Sequence, residues 1–172
     1  MWGLATHSNA MARLQEQIGS GMRVLRASDA PADAYRILNL KSQSRSLETY
    51  TKNVERVTGD LQQAHAALQT VSDVLIRVRQ LLTQAASGTY TDSQRALAAT
   101  EVDMLLEQTL MQANARFMGR YLFSGDKTST CPYTVERTGG RITSVAYEGA
   151  RRDLRVPVGP GVVGYSTPGP TG

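Results

Sequence analysis

The feature that most constrains this chain is an apolar series with a spacing of seven residues. It runs without a break from Leu40 to Leu82 and consists of Leu40, Leu47, Val54, Leu61, Leu68, Leu75 and Leu82. A second series lies three residues behind it and consists of Tyr50, Val57, Ala64, Val71, Val78 and Ala85. Two such rows are typical of a helix that packs lengthwise against other helices. We therefore interpret Leu40 to Leu82 as a helix-packing seam.

The helix predicted from this pattern is long. Pro31 suits its first turn, Ser28 or Asp29 suits its N-cap, and Ser87-Gly88-Thr89-Tyr90 ends it. Gly59 is the only glycine or proline between residues 32 and 87. At 1.5 Å per residue the helix would be about 80 Å long, whereas a globule of this chain length would be about 30–40 Å across. We therefore expect an elongated rod.

The remaining elements complete a mainly α fold with a small β part (α+β). A short helix is predicted over residues 4–18, before Gly19-Ser20-Gly21. Thr91-Asp92-Ser93 should cap a second long helix from Gln94 to Phe117, antiparallel to the first and covered on two sides.

From Tyr121 onward, short β-type runs separated by glycines predict one small antiparallel sheet, with Gly139-Gly140 turning a hairpin. The predicted segments are 1–30 (an N-terminal helix and connector), 31–120 (the helical rod) and 121–172 (a β-rich segment with a Gly/Pro tail).

Composition argues against several classes of function. The net charge is +4, but the arginines alternate with Asp and Glu, which does not favour a nucleic-acid interface. No apolar stretch approaches the ~20 residues that span a bilayer, and the N-terminus lacks the pattern of a secretory signal. We therefore expect no nucleic-acid or membrane partner.

Candidate chemistry is equally sparse. Cys131 is the only cysteine, and His7 and His65 lack neighbours at metal-ligand spacing. The glycine pattern over residues 159–164 matches the letters of a dinucleotide fingerprint, but prolines follow it where a helix would be needed. No nucleophile has a base nearby in sequence. We expect no catalytic residue, no metal and no cofactor.

Several segments, in a fixed order, resemble bacterial flagellins and their relatives. They are Leu14–Val24 ("LQEQIGSGMRV"), Ala27–Ala34 ("ASDAPADA"), Ile76–Ala86 ("IRVRQLLTQAA"), Asn114–Thr128 ("NARFMGRYLFSGDKT"), Val145–Gly149 and Val158–Val162. The phrase "GRYLFSGDKT" is similar to that of the hook–filament junction members of this family rather than of the filament flagellins. The family's opening residues, before about Ala10, and its C-terminal helices have no match here, so the resemblance implies a truncated chain or a short member.

The resemblance implies a non-enzymatic structural protein of the bacterial flagellum. Its partners would be flagellin and the neighbouring hook-associated junction protein, with an export chaperone as a further candidate. It also implies type III export without a cleaved signal peptide, and an extracellular location. Because the family's C-terminal helix would cover part of the seam, we expect self-association through Leu40 to Leu82 in its absence.

Subunit or partner contacts are expected where the two long helices meet. The candidates are Arg77, Arg79, Gln84, Gln94, Arg95 and Glu101, with an ordinary solvated helix surface as the alternative. In flagellins the stretch that matches Arg77 to Gln84 also binds an innate immune receptor. Binding of this chain to such a receptor is a further hypothesis. The alternatives for the whole chain are a filament flagellin and an autonomous coiled-coil interaction module.

Overall fold

The computed structural model describes residues 2–21, 23 and 30–165, and the chain divides into two compact units, Met1–Thr49 and Tyr50–Gly172. Three helices come first: α1 (Trp2–Ser20), α2 (Pro31–Ala86) and α3 (Asp92–Ala113). Six short strands follow: β1 (Arg116–Phe117), β2 (Arg120–Tyr121), β3 (Tyr133–Thr138), β4 (Arg141–Tyr147), β5 (Arg155–Gly159) and β6 (Val162–Tyr165). The predicted fold class, mainly α with a small β part, is confirmed.

The predicted bounds of the long helix are confirmed. α2 begins at Pro31, carries Asp33 in its first turn and ends at Ala86, directly before Ser87. The predicted caps Ser28 and Asp29 lie outside the described residues. In the first unit, α1 ends before Gly21, which adopts a φ of +67°, and Arg23 forms an ion pair with Asp33.

The second unit has its core between α2, α3 and the strands. The buried apolar residues are small for the most part and consist of Val57, Ala64, Ala67, Val74, Leu81, Leu122 and Val156. Arg77 pairs with Glu101, whereas Ala67 and Val71 lie beside Thr109 and Gln112. The earlier residues of α2 therefore contact the later residues of α3. This makes the two helices antiparallel, as the sequence predicted.

Helix α3 departs from its prediction at the C-terminal end and in its cover. It ends at Ala113 rather than Phe117, because the Asn114 side chain hydrogen-bonds both the N–H and the C=O of Tyr133, at 3.0 and 2.9 Å. Phe117 belongs to β1. The expectation of cover on two sides is also wrong, since no residue of α3 is buried and a row of three side chains at seven-residue spacing remains exposed: Leu97, Met104 and Met111.

The strands form three separate antiparallel pairs, β1–β2, β3–β4 and β5–β6, rather than the single sheet we expected. Gly139 and Gly140, with φ of +61° and +85°, turn the β3–β4 hairpin as predicted. Each pair is fastened to a helix. Arg137 bonds Glu107 and Arg141 bonds Asp103 on α3, at 2.7 and 2.8 Å, while Asn53 of α2 donates to the Pro157 carbonyl at 2.8 Å.

The β1–β2 pair explains the lone glycine within α2. A Cβ atom on Gly59 would lie 3.1 Å from the Phe117 ring, so the absent side chain makes room for that ring. At the next residue of α2, Asp60 is buried and accepts a hydrogen bond from Arg120 of β2 at 3.3 Å. The Phe117 ring and the ion pair between Asp60 and Arg120 together hold the β1–β2 pair against α2.

Candidate functional site

The candidate contact residues lie around the connection between α2 and α3. Thr91 caps α3 in a reciprocal arrangement: its side chain accepts from the Gln94 N–H, and the Gln94 side chain accepts from the Thr91 N–H at 2.9 Å. Ahead of the cap, Tyr90 donates its hydroxyl to Gln84 at 3.2 Å. Hydrogen bonds within the chain therefore hold both Gln84 and Gln94, which fixes the geometry of this connection.

The charged candidates fall into two groups. Arg77 donates to Glu101 at 2.7 Å and links α2 to α3, and this hydrogen bond, with the attraction of the carboxylate, raises the pKa of Arg77 above its ordinary value. Arg95 lies 3.4 Å from Asp92, within its own helix. Arg79 differs, because no ion pair among residues 30–165 includes it. Arg79 is thus the candidate cation with the greatest freedom to meet a partner.

The seam residues form a second candidate surface. From Leu40 to Leu82 their side chains are 46–61% exposed, whereas members of the second row, such as Val57 and Ala64, are buried. The row therefore flanks the contact between α2 and α3 instead of filling it. Its role as a packing seam stays a prediction.

The segment from Tyr121 to Thr128 forms a tight turn at the base of the strands. The Tyr121 N–H donates to the Thr128 carbonyl at 2.8 Å, and Ser124 in the middle of the turn is fully buried. Gly125, with a φ of +62°, brings its backbone so close to the next loop that a Cβ atom would lie 2.2 Å from the Ala150 carbonyl oxygen. Only glycine fits this position.

Tyr147 closes the same turn from the other side. Its hydroxyl lies 3.1 Å from the Phe123 carbonyl and 2.9 Å from the Ala150 carbonyl, and its ring packs against Tyr133 with 5.2 Å between centroids. Burial raises the pKa of Tyr147, with the neighbouring Tyr133 adding to the effect. The arrangement is a rigid joint between strands and contains no nucleophile and base in contact.

Sequence reasoning missed the ion pair between Asp60 and Arg120. A signal was present, since Asp60 lies three residues after Val57 and four before Ala64, among the buried positions of α2. A carboxylate at such a position needs a partner. The sequence did not reveal which one, because the two residues are 60 positions apart.

No group of three or more His, Cys, Asp and Glu side chains within the described residues is arranged to hold a metal ion. None of the described helices is long and apolar enough to cross a membrane. The geometry is thus that of two antiparallel helices with an exposed apolar row and small β-hairpins fastened to them. It defines a mainly helical protein with small antiparallel strand pairs.

This chain belongs to the family of the bacterial flagellin N-terminal helical region, whose model matches residues 2–128. It is 29% identical to flagellar hook-associated protein 3 of Escherichia coli (strain K12), over 80% of this chain and 44% of that protein. It is 32% identical to flagellin FlaB2 of Treponema pallidum (strain Nichols), over 81% of this chain and 48% of that protein. The chain therefore spans about half the length of these curated relatives.

A solved structure supports the same assignment. A Vibrio parahaemolyticus protein described as flagellar hook-associated superimposes with a TM-score of 0.70 at 27% identity, over 84% of this chain and 62% of that one. The family identified from the motifs is thus confirmed, and the relatives are structural proteins of the flagellum.

Proposed function

We propose that this protein is a structural component of the bacterial flagellum at the junction of hook and filament, where it links a hook-associated protein to the flagellin filament. The observation that carries the proposal is the similarity to flagellar hook-associated protein 3 over four fifths of the chain. In this role the protein has no enzymatic activity and holds no cofactor.

The turn from Tyr121 to Thr128 favours the junction over the filament. Its sequence resembles the phrase typical of junction members, and in the structure it joins the helices to the β-hairpins through buried Ser124 and close-packed Gly125.

The proposed partners are flagellin, the neighbouring hook-associated protein and, during export, a flagellar chaperone. The proposed location is the flagellum outside the cell, reached by type III export without a cleaved signal peptide. We propose that Arg77, Arg79, Gln84, Gln94, Arg95 and Glu101 contribute to subunit contacts. Arg79 is foremost among them, because the other five already bond within the chain.

Labelling flagella of the source bacterium with an antibody raised against this chain tests the function. A single band at the boundary of hook and filament supports the proposal. Label along the whole filament indicates the alternative supported by the similarity to flagellin FlaB2, a filament subunit. Flagella without label, together with label inside the cell, would contradict both and favour an autonomous coiled-coil module.

The contact residues require a separate test. We expect Arg79→Ala, introduced into the source gene, to reduce motility without changing the melting temperature of the purified protein. Lys52→Ala is the matched control, because Lys52 is an exposed cation on the same helix. Equal motility of the two variants would remove Arg79 from the proposed interface.

A further inference from the structure

The β3–β4 hairpin consists of a fixed base and a more loosely held tip. At the base, the Tyr133 and Tyr147 rings pack together, and Asn114 bonds both backbone groups of Tyr133. The Glu148 N–H also donates to the carbonyl of fully buried Pro132 at 2.8 Å. Ring packing and hydrogen bonds therefore fix the base of the hairpin.

The tip of the hairpin comprises residues 137–142 and begins at an irregularity in the pairing of the two strands. The register shifts between Glu136 and Arg137, which leaves Thr143 of β4 as an extra residue in a bulge. The Thr143 hydroxyl donates to the Glu136 carbonyl at 3.2 Å. A bulge bends a strand pair and interrupts its regular hydrogen bonds. It is therefore the place at which the tip can bend relative to the base.

Little apolar surface holds the tip in place. Ile142 is half-buried, and the other five residues of the tip are exposed. A Cβ atom added to Gly139 or Gly140 would meet no atom of the described residues within 4 Å, so the turn is open on that side. Since burial of apolar groups is the main source of packing stability, the tip needs another kind of attachment.

Two ion pairs with α3 provide this attachment. Arg137 donates to both carboxylate oxygens of Glu107, at 2.8 and 2.7 Å, and Arg141 lies 2.8 Å from Asp103. Asp103 and Glu107 are four residues apart, which makes them neighbours on one face of the helix. All four side chains are 41–62% exposed, so water and salt reach both ion pairs.

We propose that these two ion pairs form an electrostatic latch, which closes the hairpin tip against α3 and releases it as the ionic strength rises. The released tip bends away at the Thr143 bulge, while the base stays in place. Both partners of each pair lie within the described residues. The inference goes beyond the proposed function and does not depend on it.

The strength of exposed ion pairs suits a latch that opens reversibly. Such a pair typically changes an equilibrium by only about 1.5- to fivefold. Salt weakens it further, because the screening length falls from about 30 Å at 0.01 M ionic strength to about 3 Å at 1 M. At low salt the closed position is also favoured by Asp103 and Glu107 themselves, since the arginines relieve the repulsion between these two carboxylates.

Distance measurements between two spin labels test the latch. In a Cys131→Ser background, one label is attached at Thr138→Cys on the tip and the other at Leu97→Cys on α3, both at exposed positions. Double electron–electron resonance should show a second, longer distance whose share grows between about 0.01 and 1 M NaCl. The matched control replaces Thr138→Cys by Thr134→Cys at the exposed base of β3, where the distance should not change.

Neutral variants test whether the ion pairs are the cause. Arg137→Gln and Arg141→Gln should each raise the ratio of open to closed tip about 1.5- to fivefold at low salt, and the double variant should respond little to salt. Arg137→Glu and Glu107→Arg should each open the tip, whereas the two changes together should restore the wild-type ratio.

Two outcomes would overturn the proposal. One is a single distance between tip and α3 that stays the same in every variant and at every salt concentration. The other is a double neutral variant, Arg137→Gln with Arg141→Gln, whose tip opens with salt as much as that of the wild type. Circular dichroism of each variant confirms that the helix content is retained, so that a changed distance reports movement of the tip.

Discussion

Arg120 of β2 lies 3.3 Å from the carboxylate of Asp60 on α2, and that carboxylate is only 4% exposed. This ion pair joins the β1–β2 hairpin to the middle of the long helix. Around it, the Phe117 ring occupies the space that a side chain at position 59 would fill. The docking of the hairpin therefore depends on the buried Asp60 carboxylate and on the absence of a side chain at Gly59.

We expect Arg120→Ala to lower the free energy of unfolding by about 2–4 kcal/mol, because it removes the guanidinium that hydrogen-bonds the buried Asp60 carboxylate. The double variant Asp60→Ala with Arg120→Ala should be less destabilised than Arg120→Ala alone. Urea unfolding of the wild type, the two single variants Asp60→Ala and Arg120→Ala, and the double variant measures this coupling. Additive effects would mean that the pair contributes nothing beyond its separate residues.

Gly59→Ala should have opposite effects in two backgrounds. In the Phe117→Ala background it should raise the free energy of unfolding by about 1 kcal/mol, because alanine favours a helix more than glycine does. In the wild type this gain should vanish or change sign, since the new Cβ would press on the Phe117 ring at 3.1 Å. Thermal unfolding of all four proteins provides the comparison, and equal gains in both backgrounds would refute the contact.

Gly125→Ala should lower the free energy of unfolding by about 3 kcal/mol or more. The alanine would have to adopt a left-handed backbone conformation, and its Cβ would also clash with the Ala150 carbonyl. Gly139→Ala is the matched control. Its φ of +61° is nearly the same, but no atom lies within 4 Å of the new Cβ, so it should cost only about 1–2 kcal/mol. Urea unfolding separates them, and similar costs would show that Gly125 is needed for its φ alone.

Tyr147 should make stability fall at high pH. Burial raises the pKa of Tyr147 in the folded state, so the folded protein holds the phenol proton more tightly than the unfolded chain does. The resulting contribution to the free energy of unfolding is complete below the unfolded pKa, near 10.0, and is lost as the pH rises through the pKa of the folded state. We expect Tyr147→Phe to unfold more easily at neutral pH, by about 1 kcal/mol, through its lost hydrogen bond. It should also lose less stability than the wild type between neutral pH and about pH 11. Parallel pH profiles for the two proteins would contradict this assignment.

The sequence predicted the elements whose signals are local. Pro31 and Ser87-Gly88 marked both ends of α2, Thr91 marked the start of α3, and Gly139-Gly140 marked a hairpin. The end of α3 was wrong because Ala115 and Phe117 continue the apolar pattern, while the interaction that ends the helix joins Asn114 to Tyr133, 19 residues away.

The candidate site was predictable only in part. The α2–α3 connection follows from its capping residues, but the pairing of Arg77 with Glu101 depends on how two helices align, which their patterns leave undetermined. The single expected sheet became three pairs because arginines on β3 and β4 bond acidic residues of α3, so that hairpin is tied to a helix. Such long-range ion pairs leave no periodic trace in a sequence.

The alanines at positions 64 and 67 would link the stability of the second unit to the binding of a partner. Alanines at a helix contact allow close approach but remove little apolar surface from water, while the larger leucines stay outside. A binding partner that covers those leucines would add its own binding free energy to the stability of the unit, about 2.7 kcal/mol at a hundredfold excess over its Kd. The isolated protein should thus melt at a lower temperature than the same protein with such a partner bound.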